Sequence, residues 1–271
     1  TKQQEAEKPE TFKAYIKGRP EWERDLMADN YTEDASRLIQ LIETGSELKA
    51  GHDGGSKDDF GSYGWVLADN SSIVWSGKGY ARGYPMSSFR AEAYGRLGFL
   101  TFVKNMLTFY GVKPHEDTKI DTFCDNDSLR KRLLAAKDPW SASFFLKSDT
   151  DVIMAIEETK TMIPITERFH WIKGHQDDDK NIPFEDLPWS AKLNILADEQ
   201  ATAALIKVQH QRTYPPKMLH LPACPIYLLA QGREQTSHER NTLRTDIRRD
   251  RMEKYLMKQN KWSFSNLKTV A

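Results

Sequence analysis

The sequence predicts an α/β fold in which helices cover both faces of one central sheet. The chain has 271 residues, of which 39% are hydrophobic and 29% charged, so it can bury one substantial core. Near Ser46 the hydrophobic period changes from helical to alternating. From there, strand-like and helix-like segments follow in the order β-β-β-α-β-α-α-β-α. Strands and helices mixed in this order indicate a single sheet with helices packed against it.

Residues 1–45 are predicted to form a helical leader that packs on the rest of the chain. Two amphipathic stretches carry its apolar residues, which are Trp22, Leu26, Met27, Leu38, Ile39, Leu41 and Ile42. The second stretch is expected to be a helix that Thr32 opens and Gly45 ends, since threonine caps helix N-termini and glycine terminates helices.

Residues 46–208 contain the predicted sheet. Its first strand is expected to end at Asp53, and Gly54, Gly55 and Ser56 then begin a glycine-rich turn. The other expected elements are strands at 63–68, 73–81, 120–124 and 169–173 and helices at 88–110, 128–136, 149–162 and 189–208. Four tryptophans, Trp65, Trp75, Trp171 and Trp189, are expected in the core or at its edge, where one could stack on a nucleotide.

Residues 209–271 are predicted to be an extension with a proline-rich linker at 214–225 and a basic amphipathic helix at 236–259. Thr236 and Glu239 have the spacing of a capping box at the start of that helix. The basic side chains favour a solvated helix face over a phosphate-binding surface.

Composition excludes several classes of protein. Lys plus Arg and Asp plus Glu number 39 each, so any nucleic-acid binding must be local. The two cysteines, Cys124 and Cys224, exclude a disulfide framework and a CxxC zinc site, which favours an intracellular location in the cytoplasm or nucleus. No stretch is apolar enough for a membrane span. The first residues suggest neither a signal peptide nor an initiator methionine, so a piece of a longer protein is expected.

Four acidic residues fall where the predicted fold would bring distant parts of the chain together. Asp53 and Asp125 end predicted strands, while Glu92 and Asp198 lie in predicted helices. Four adjacent carboxylates would repel one another, by about 4 kcal/mol per pair at 4 Å and an effective dielectric near 20. Two hard divalent cations about 3.5–4 Å apart would neutralise them and form a clamp for phosphodiester hydrolysis. His175, in the loop after the fifth strand, is suited to proton transfer near the leaving group.

Taken singly, each of these residues has a simpler interpretation. An aspartate at a strand end is more often a turn former or a cap, and Asp121 or Asp127 could take the place of Asp125. A calcium loop is excluded, because the twelfth residue counted from Asp125 is Ala136 and from Asp177 is Pro188. The glycines after Asp53 also lack the spacing of a phosphate-binding loop.

Five segments, taken in order, resemble type 1 ribonuclease H. They are AGHDGGS (Ala50–Ser56), SFRAEAYG (Ser88–Gly95), CDNDSL (Cys124–Leu129), WIKGH (Trp171–His175) and LNILAD (Leu193–Asp198). The resemblance implies a ribonuclease-H-like mixed five-stranded sheet of order 3-2-1-4-5. It implies two Mg²⁺ or Mn²⁺ ions held by Asp53, Glu92, Asp125 and Asp198, with His175 as the catalytic histidine. Gly54, Gly55, Ser56, Asn126 and Asn194 are the matching candidates for substrate contact.

Three segments are closer still to retroelement proteins, in which ribonuclease H follows a reverse transcriptase. They are residues 53–67, 88–95 and 236–263. The expected substrate is then an RNA–DNA hybrid and the expected partner an adjoining reverse transcriptase domain, with no membrane involved.

Two features depart from the family pattern. The loop from His175 to Asn194 is long and acidic at 177–188, and no basic segment stands out between the short and long helices. Two alternative functions stay open. One is an inactive structural module with the same fold. The other is a related transposase or DNA nuclease, although the last acid of such enzymes is often glutamate, where this chain has Asp198.

Overall fold

The structure is a computed structural model. The residues it describes are 9–28, 34–136, 144, 147–174, 176, 182–211, 220–224, 228–230, 233–236, 251, 254 and 258. None of the helices in these parts of the chain is both long enough and apolar enough to cross a membrane.

One five-stranded sheet forms the centre of the molecule. Its strands are β1 (Glu47–Lys57), β2 (Phe60–Ala68), β3 (Ile73–Ala81), β4 (Lys119–Cys124) and β5 (Thr166–Trp171). The order across the sheet is β3-β2-β1-β4-β5. β2 runs antiparallel to β1 and β3, and β4 runs parallel to β1 and β5. The predicted fold class, a mixed sheet of order 3-2-1-4-5, is confirmed.

Seven α-helices have both ends among the described residues. They are α1 (Phe12–Lys17), α2 (Glu21–Leu26), α3 (Ser36–Glu43), α4 (Ser88–Tyr110), α5 (Asp127–Leu134), α6 (Thr150–Thr161) and α7 (Trp189–Gln211). Helix α4 begins where the Ser87 side chain accepts a hydrogen bond from the amide of Arg90, and it ends at Gly111, whose φ of 67° breaks the helical path.

Helices α4 and α7 lie on opposite faces of the sheet. A Cβ on Gly54 would lie 2.2 Å from the backbone of α4, whereas one on Gly51 would lie 2.5 Å from the Leu193 carbonyl of α7. Positions 51 and 54 are an odd number of residues apart, so they point to opposite faces of β1. The expected helices on both faces are present.

Aromatic side chains fill the core between the sheet and α4. The Phe102 ring centroid lies 4.8 Å from that of Trp65 and 4.8 Å from that of Trp75, and both tryptophans are buried. Offset aromatic contacts of this kind stabilise a core beyond the area that they bury. Trp65 and Trp75 are therefore core residues, as expected.

The first hairpin differs from its prediction. β1 continues past Asp53 to Lys57, and Gly54 pairs with Tyr63 within the ladder. The turn lies instead at Asp58 and Asp59, whose φ angles of 53° and 63° belong to a left-handed hairpin turn that aspartate tolerates. The prediction of a turn at residues 54–56 was wrong, because these residues pair within the β1–β2 ladder and Gly54 allows a close contact with α4.

The fifth strand and the short helix are both displaced from their expected ranges. β5 begins at Thr166, three residues before the predicted start. The prediction missed these residues because they are polar and alternate between exposed and half-buried positions on an edge strand. Helix α5 begins at Asp127, where the Asn126 side chain caps the amide of Leu129.

The leader packs on α4 and contributes side chains to the main core. Phe12 and Ile16 are buried in the main core, and the Tyr63 hydroxyl donates a 2.9 Å hydrogen bond to the Leu26 carbonyl. Thr32 lies outside the described residues. Helix α3 begins at Ser36, whose amide bonds to the Asp34 carboxylate, and Gly45 follows its end with a φ of 79°.

Part of the C-terminal extension also packs on the domain. Leu221 and Cys224 are buried in the main core. Two short strands, β6 (Leu228–Ala230) and β7 (Arg233–Gln235), pair with each other in the stretch after the predicted linker, where no strand was expected.

Thr236 follows β7 and joins two loops of the domain. Its amide donates to the Tyr84 carbonyl at 2.8 Å, and its carbonyl accepts from the Asp149 amide at 2.6 Å. Its hydroxyl accepts a hydrogen bond from the Tyr84 amide. Thr236 is therefore bound to the domain, whereas Glu239 and most of the predicted basic helix lie outside the described residues; 251, 254 and 258 are helical and exposed.

Glu23 of α2 is the polar anchor of the leader. It is 2% exposed and accepts hydrogen bonds from Arg19, Lys104 and Asn105 at 2.9–3.1 Å. Burial alone would raise the pKa of Glu23, but these three donors outweigh it and hold the pKa below the usual value of a glutamate.

We predict that Glu23→Gln lowers the free energy of unfolding by about 3 kcal/mol, because it leaves the buried Lys104 ammonium without its counter-charge. Urea unfolding at neutral pH measures this. A carboxylate with a lowered pKa stabilises the fold above its unfolded pKa and loses that effect as the pH falls. The difference between the two proteins should therefore narrow below about pH 4.5. The exposed Glu21→Gln on the same helix is the control and should change stability by less than about 0.5 kcal/mol.

Candidate metal centre

Asp53 and Asp125 lie at equivalent positions on two parallel strands. The last residue pair of the β1–β4 ladder is Gly51 with Phe123. Asp53 and Asp125 each come two residues after that pair, so the parallel register places them side by side. Asp53 remains within β1, opposite Gly64 of β2, whereas Asp125 directly follows the end of β4. The prediction that Asp53 ends its strand was wrong, but its placement beside Asp125 does not depend on it.

Helix α4 brings Glu92 to the same place. A Cβ on Gly54 would lie 2.2 Å from the Glu92 amide nitrogen, and one on Gly95 would lie 2.8 Å from the Asp53 carbonyl oxygen. Only glycine at both positions lets the helix backbone approach the strand this closely. Glu92, in the second turn of α4, is consequently 7% exposed and faces the strand ends.

Helix α7 supplies the fourth acid from the other face. A Cβ on Gly64 would lie 2.3 Å from the Ala197 carbonyl oxygen, so α7 contacts the sheet at the residue before Asp198. Asp198 itself is exposed, and its charge acts on Asp53. The carboxylates of Glu92, Asp125 and Asp198 thus all lie near enough to Asp53 for their charges to act on it, while the ligand atoms found within 4.8 Å of one another in the described residues are those of Glu92, Cys124 and Asp125.

Asp53 is the most strongly perturbed member of this cluster. Burial raises its pKa to about 8, and the carboxylates of Asp125, Glu92 and Asp198 contribute to the rise. Among the largest influences on this pKa, the Gly54 amide, which donates to the Asp53 carboxylate at 2.6 Å, acts in the opposite direction. The charged groups that act most strongly on Asp53 are therefore all negative.

Glu92 has polar neighbours of its own. Burial raises its pKa to about 7, while a hydrogen bond from the Asn126 side chain at 3.1 Å partly offsets the rise. The Cys124 thiol donates to the other carboxylate oxygen at 3.4 Å. Ligand atoms of Glu92, Cys124 and Asp125 all lie within 4.8 Å of one another.

The donor set fits a hard divalent cation. Four carboxylates offer the oxygen ligands that Mg²⁺ and Mn²⁺ prefer, and their mutual repulsion needs a positive charge to balance it. Asp53, Glu92, Asp125 and Asp198 are the residues that could hold such an ion. The Cys124 thiol is next to them, but a thiol is a poor ligand for either metal.

The two alternatives to Asp125 have other partners. Asp121 accepts hydrogen bonds from Arg168 and His170. Asp127 lies in the first turn of α5 and pairs with Arg130 and Lys131. Each of the two carboxylates therefore has at least one cationic side chain of the protein as a partner.

The remaining predicted residues are distributed around the cluster. Gly54, Gly55 and Ser56 follow Asp53 along β1, and Ser56 is exposed. Asn126 contacts Glu92 and also caps α5. Asn194 lies on α7 and is 4% exposed, with no hydrogen-bond partner for its side-chain nitrogen among the residues described. His175 and residues 177–181 of the acidic loop lie outside the described residues.

Sequence patterns missed the contacts that Trp171 and Gly174 make with Asp125. The Trp171 indole nitrogen donates to the Asp125 carbonyl at 2.8 Å, and a Cβ on Gly174 would lie 2.3 Å from an Asp125 carboxylate oxygen. The WIKGH segment contains both residues, but its resemblance to the family motif singles out His175. Nothing in the segment itself indicates a contact with the end of another strand.

We predict that the metal-free protein loses stability as the pH rises from about 5 to about 8. A carboxyl group with a raised pKa stabilises the fold in its protonated form, and this effect is lost as the pH rises toward the folded-state value. Asp53→Asn should flatten the decline in thermal midpoint that is measured in the presence of a chelator. In Asp121→Asn, where the pKa of the replaced carboxyl is lowered, the decline should persist. An equal decline in Asp53→Asn and the wild type would contradict the assignment.

Comparison with protein-family models found no match, and comparison with curated proteins found none either. Among solved structures, the chain is similar to ribonuclease H1 from the halophilic archaeon Halobacterium salinarum NRC-1, with 18% identity and a TM-score of 0.39 over 59% of this chain and 98% of that one. LC11-RNase H1 in complex with an RNA/DNA hybrid gives 12% identity and a TM-score of 0.41 over 60% of this chain and 99% of that one. Prototype foamy virus protease-reverse transcriptase gives 14% identity and a TM-score of 0.36, over 59% of this chain and 20% of that one.

Proposed function

We propose that this chain is a metal-dependent endonuclease that hydrolyses the RNA strand of RNA–DNA hybrids. The observation that supports the proposal most is that the carboxylates of Asp125, Glu92 and Asp198, from three different parts of the chain, all contribute to the raised pKa of Asp53. An acid cluster of this kind is costly to a fold without a cation, because burial and like charges both oppose ionisation. A function that uses the cation accounts for the cost.

The four acids would hold two Mg²⁺ ions, with Mn²⁺ as a possible substitute. When bound, the cations supply Lewis acidity to the scissile phosphate and charge stabilisation to the attacking and leaving oxygens. The protein's own groups orient the ligands. The Gly54 amide fixes one Asp53 oxygen, and the Asn126 amide group fixes one Glu92 oxygen. His175 would move a proton at the leaving oxygen, as the family resemblance implies.

Selectivity for a hybrid would come from contacts across the minor groove. An A-like helix has a deep, narrow major groove and a wide minor groove that displays the 2′-hydroxyl groups. Gly54, Gly55, Ser56, Asn126 and Asn194 are the candidate contacts, and exposed Ser56 is the residue best suited to meet a backbone. Base sequence should matter little, and cleavage should leave 5′ phosphate and 3′ hydroxyl ends.

The natural setting that we propose is a retroelement protein in which a reverse transcriptase domain adjoins this one. The resemblance of residues 53–67, 88–95 and 236–263 to retroelement proteins supports this setting. Equal numbers of acidic and basic residues also support it, because a domain without a net positive charge depends on a neighbour for much of its hybrid affinity.

We predict that the chain cleaves a labelled RNA–DNA hybrid in Mg²⁺ and leaves duplex RNA and duplex DNA intact, and that omitting the metal abolishes cleavage. Preferential cleavage of duplex DNA would favour a transposase-like nuclease. Absence of both cleavage and Mn²⁺ binding would favour an inactive module.

Asp125→Asn should reduce hybrid cleavage more than about 100-fold, since even residues that only support a metal ligand typically cost 10–100-fold when replaced. Asp127→Asn is the matched control, because Asp127 lies two residues away and pairs with Arg130 and Lys131. It should retain near-wild-type activity. Circular dichroism should show both variants folded, and activity in Asp125→Asn comparable with the control would refute the assignment.

A further inference from the structure

The chain leaves the sheet at Asp125, and a tryptophan side chain continues the hydrogen bonding from that point. The last residue pair of the β4–β5 ladder is Cys124 with Trp171. The Cys124 carbonyl accepts from the Ile172 amide at 3.0 Å. The next carbonyl along the chain, that of Asp125, accepts from the Trp171 indole nitrogen at 2.8 Å. The indole N–H thus adds a hydrogen bond between the ends of the two strands, one residue beyond the last ladder pair.

Hydrophobic burial does not explain the position of Trp171. Its residue surface is 49% exposed, whereas Trp65 and Trp75 in the core are 0% and 3% exposed. The indole nitrogens of those two core residues have no hydrogen-bond partner among the described residues. Trp171 is therefore half exposed and makes a specific hydrogen bond, whereas the two core tryptophans are buried and their indole nitrogens make none in the described structure.

The backbone three residues later reaches the carboxylate of the same aspartate. A Cβ on Gly174 would lie 2.3 Å from an Asp125 carboxylate oxygen and 3.1 Å from its carboxylate carbon. Residues 171–174 accordingly contact Asp125 twice, at its carbonyl through Trp171 and at its carboxylate beside Gly174.

We propose that Trp171 is a positioning residue for the metal centre, which holds the backbone of Asp125 so that its carboxylate meets those of Asp53 and Glu92. The inference rests on the proposed function, because it concerns the affinity of the same site for a divalent cation. Asp125 lies beyond the last ladder pair of β4, so its backbone depends on other contacts for a fixed position. Partners that orient a metal ligand contribute to affinity without touching the metal.

The test is calorimetric titration of the whole chain with Mn²⁺ in the absence of nucleic acid. Trp171→Phe keeps an aromatic ring and removes the donor, and it should weaken Mn²⁺ binding about tenfold, in line with other residues that orient metal ligands. The thermal midpoint of the metal-free protein should stay unchanged, because the replaced side chain is half exposed. In hybrid cleavage, the Mn²⁺ concentration for half-maximal rate should rise, while the rate at saturating Mn²⁺ recovers.

Trp75→Phe is the matched control, since it makes the same substitution at a tryptophan whose indole nitrogen is unbonded in the described structure. It should lower the thermal midpoint and leave Mn²⁺ affinity unchanged. A sharper variant places benzothienylalanine at position 171, which exchanges only the N–H for sulfur and should reproduce the weaker binding. Gly174→Ala should weaken it as well, by displacing the carboxylate.

The possible outcomes separate this inference from the proposed function. Wild-type Mn²⁺ affinity in both Trp171 variants overturns the positioning role and leaves the proposed function standing, provided that Asp125→Asn loses Mn²⁺ binding. If the wild type itself does not bind Mn²⁺, or binds it no better than Asp125→Asn, the proposed function fails and this inference fails with it.

Discussion

The arrangement of the whole molecule depends on the close approach of two helices to one pair of strands. Gly51, Gly54 and Gly64 have no side chain where the backbones of α4 and α7 come nearest, and a Cβ at any of them would lie within 2.5 Å of a helix backbone atom. Backbone atoms cannot yield as a flexible side chain can, so a methyl group there would push a helix away from the sheet. The distance between strand and helix also sets the distance between the acids that they carry.

This contact concentrates negative charge, and the neighbouring cations are engaged elsewhere. Arg90 and Arg96 flank Glu92 on α4 and are both fully buried. Arg90 pairs with Asp151 at 2.6 Å, and Arg96 pairs with Glu167 at 2.8 Å. The Arg90 pair joins α4 to α6, and the Arg96 pair joins α4 to β5. Because these guanidinium groups are committed to structural carboxylates, the charge that balances Asp53 and Glu92 is best supplied from outside the chain.

The sequence predicted the elements well where periodicity follows burial and less well where a residue has a second role. β3 and α4 were predicted at their observed limits, and in α4 a capping serine at position 87 and a glycine at position 111 mark the two ends. Gly54 was misinterpreted as a turn residue, because the sequence does not distinguish a glycine that forms a turn from one that allows a helix to approach closely. The polar start of β5 was missed because an edge strand half exposed to water lacks the apolar pattern of a central strand.

For the site, the acids could be chosen from the sequence only through the resemblance to a family, because spacing alone does not separate Asp125 from Asp121 or Asp127. Structure separates them by their partners, with Asp121 and Asp127 neutralised locally. Contacts such as Trp171 with Asp125 join residues 46 positions apart. No local pattern encodes a bond of this kind, so a prediction from sequence can name a ligand but not what holds it in place.

The leader and the extension both make contacts with the part of the molecule around α4. Residues 46–208 are therefore not structurally independent of these two segments. Glu23 is buried against α4, where it accepts a hydrogen bond from Lys104. Without Glu23, the buried Lys104 ammonium would lose this counter-charge. Thr236 bonds to Tyr84 and Asp149, and Asp149 also contacts the Arg90 guanidinium at 3.2 Å. Arg90 lies two residues from Glu92 on the same helix. The N-terminal segment thus contacts α4 directly, and the C-terminal segment contacts it through Asp149, a partner of Arg90 on the helix that carries one of the four acids.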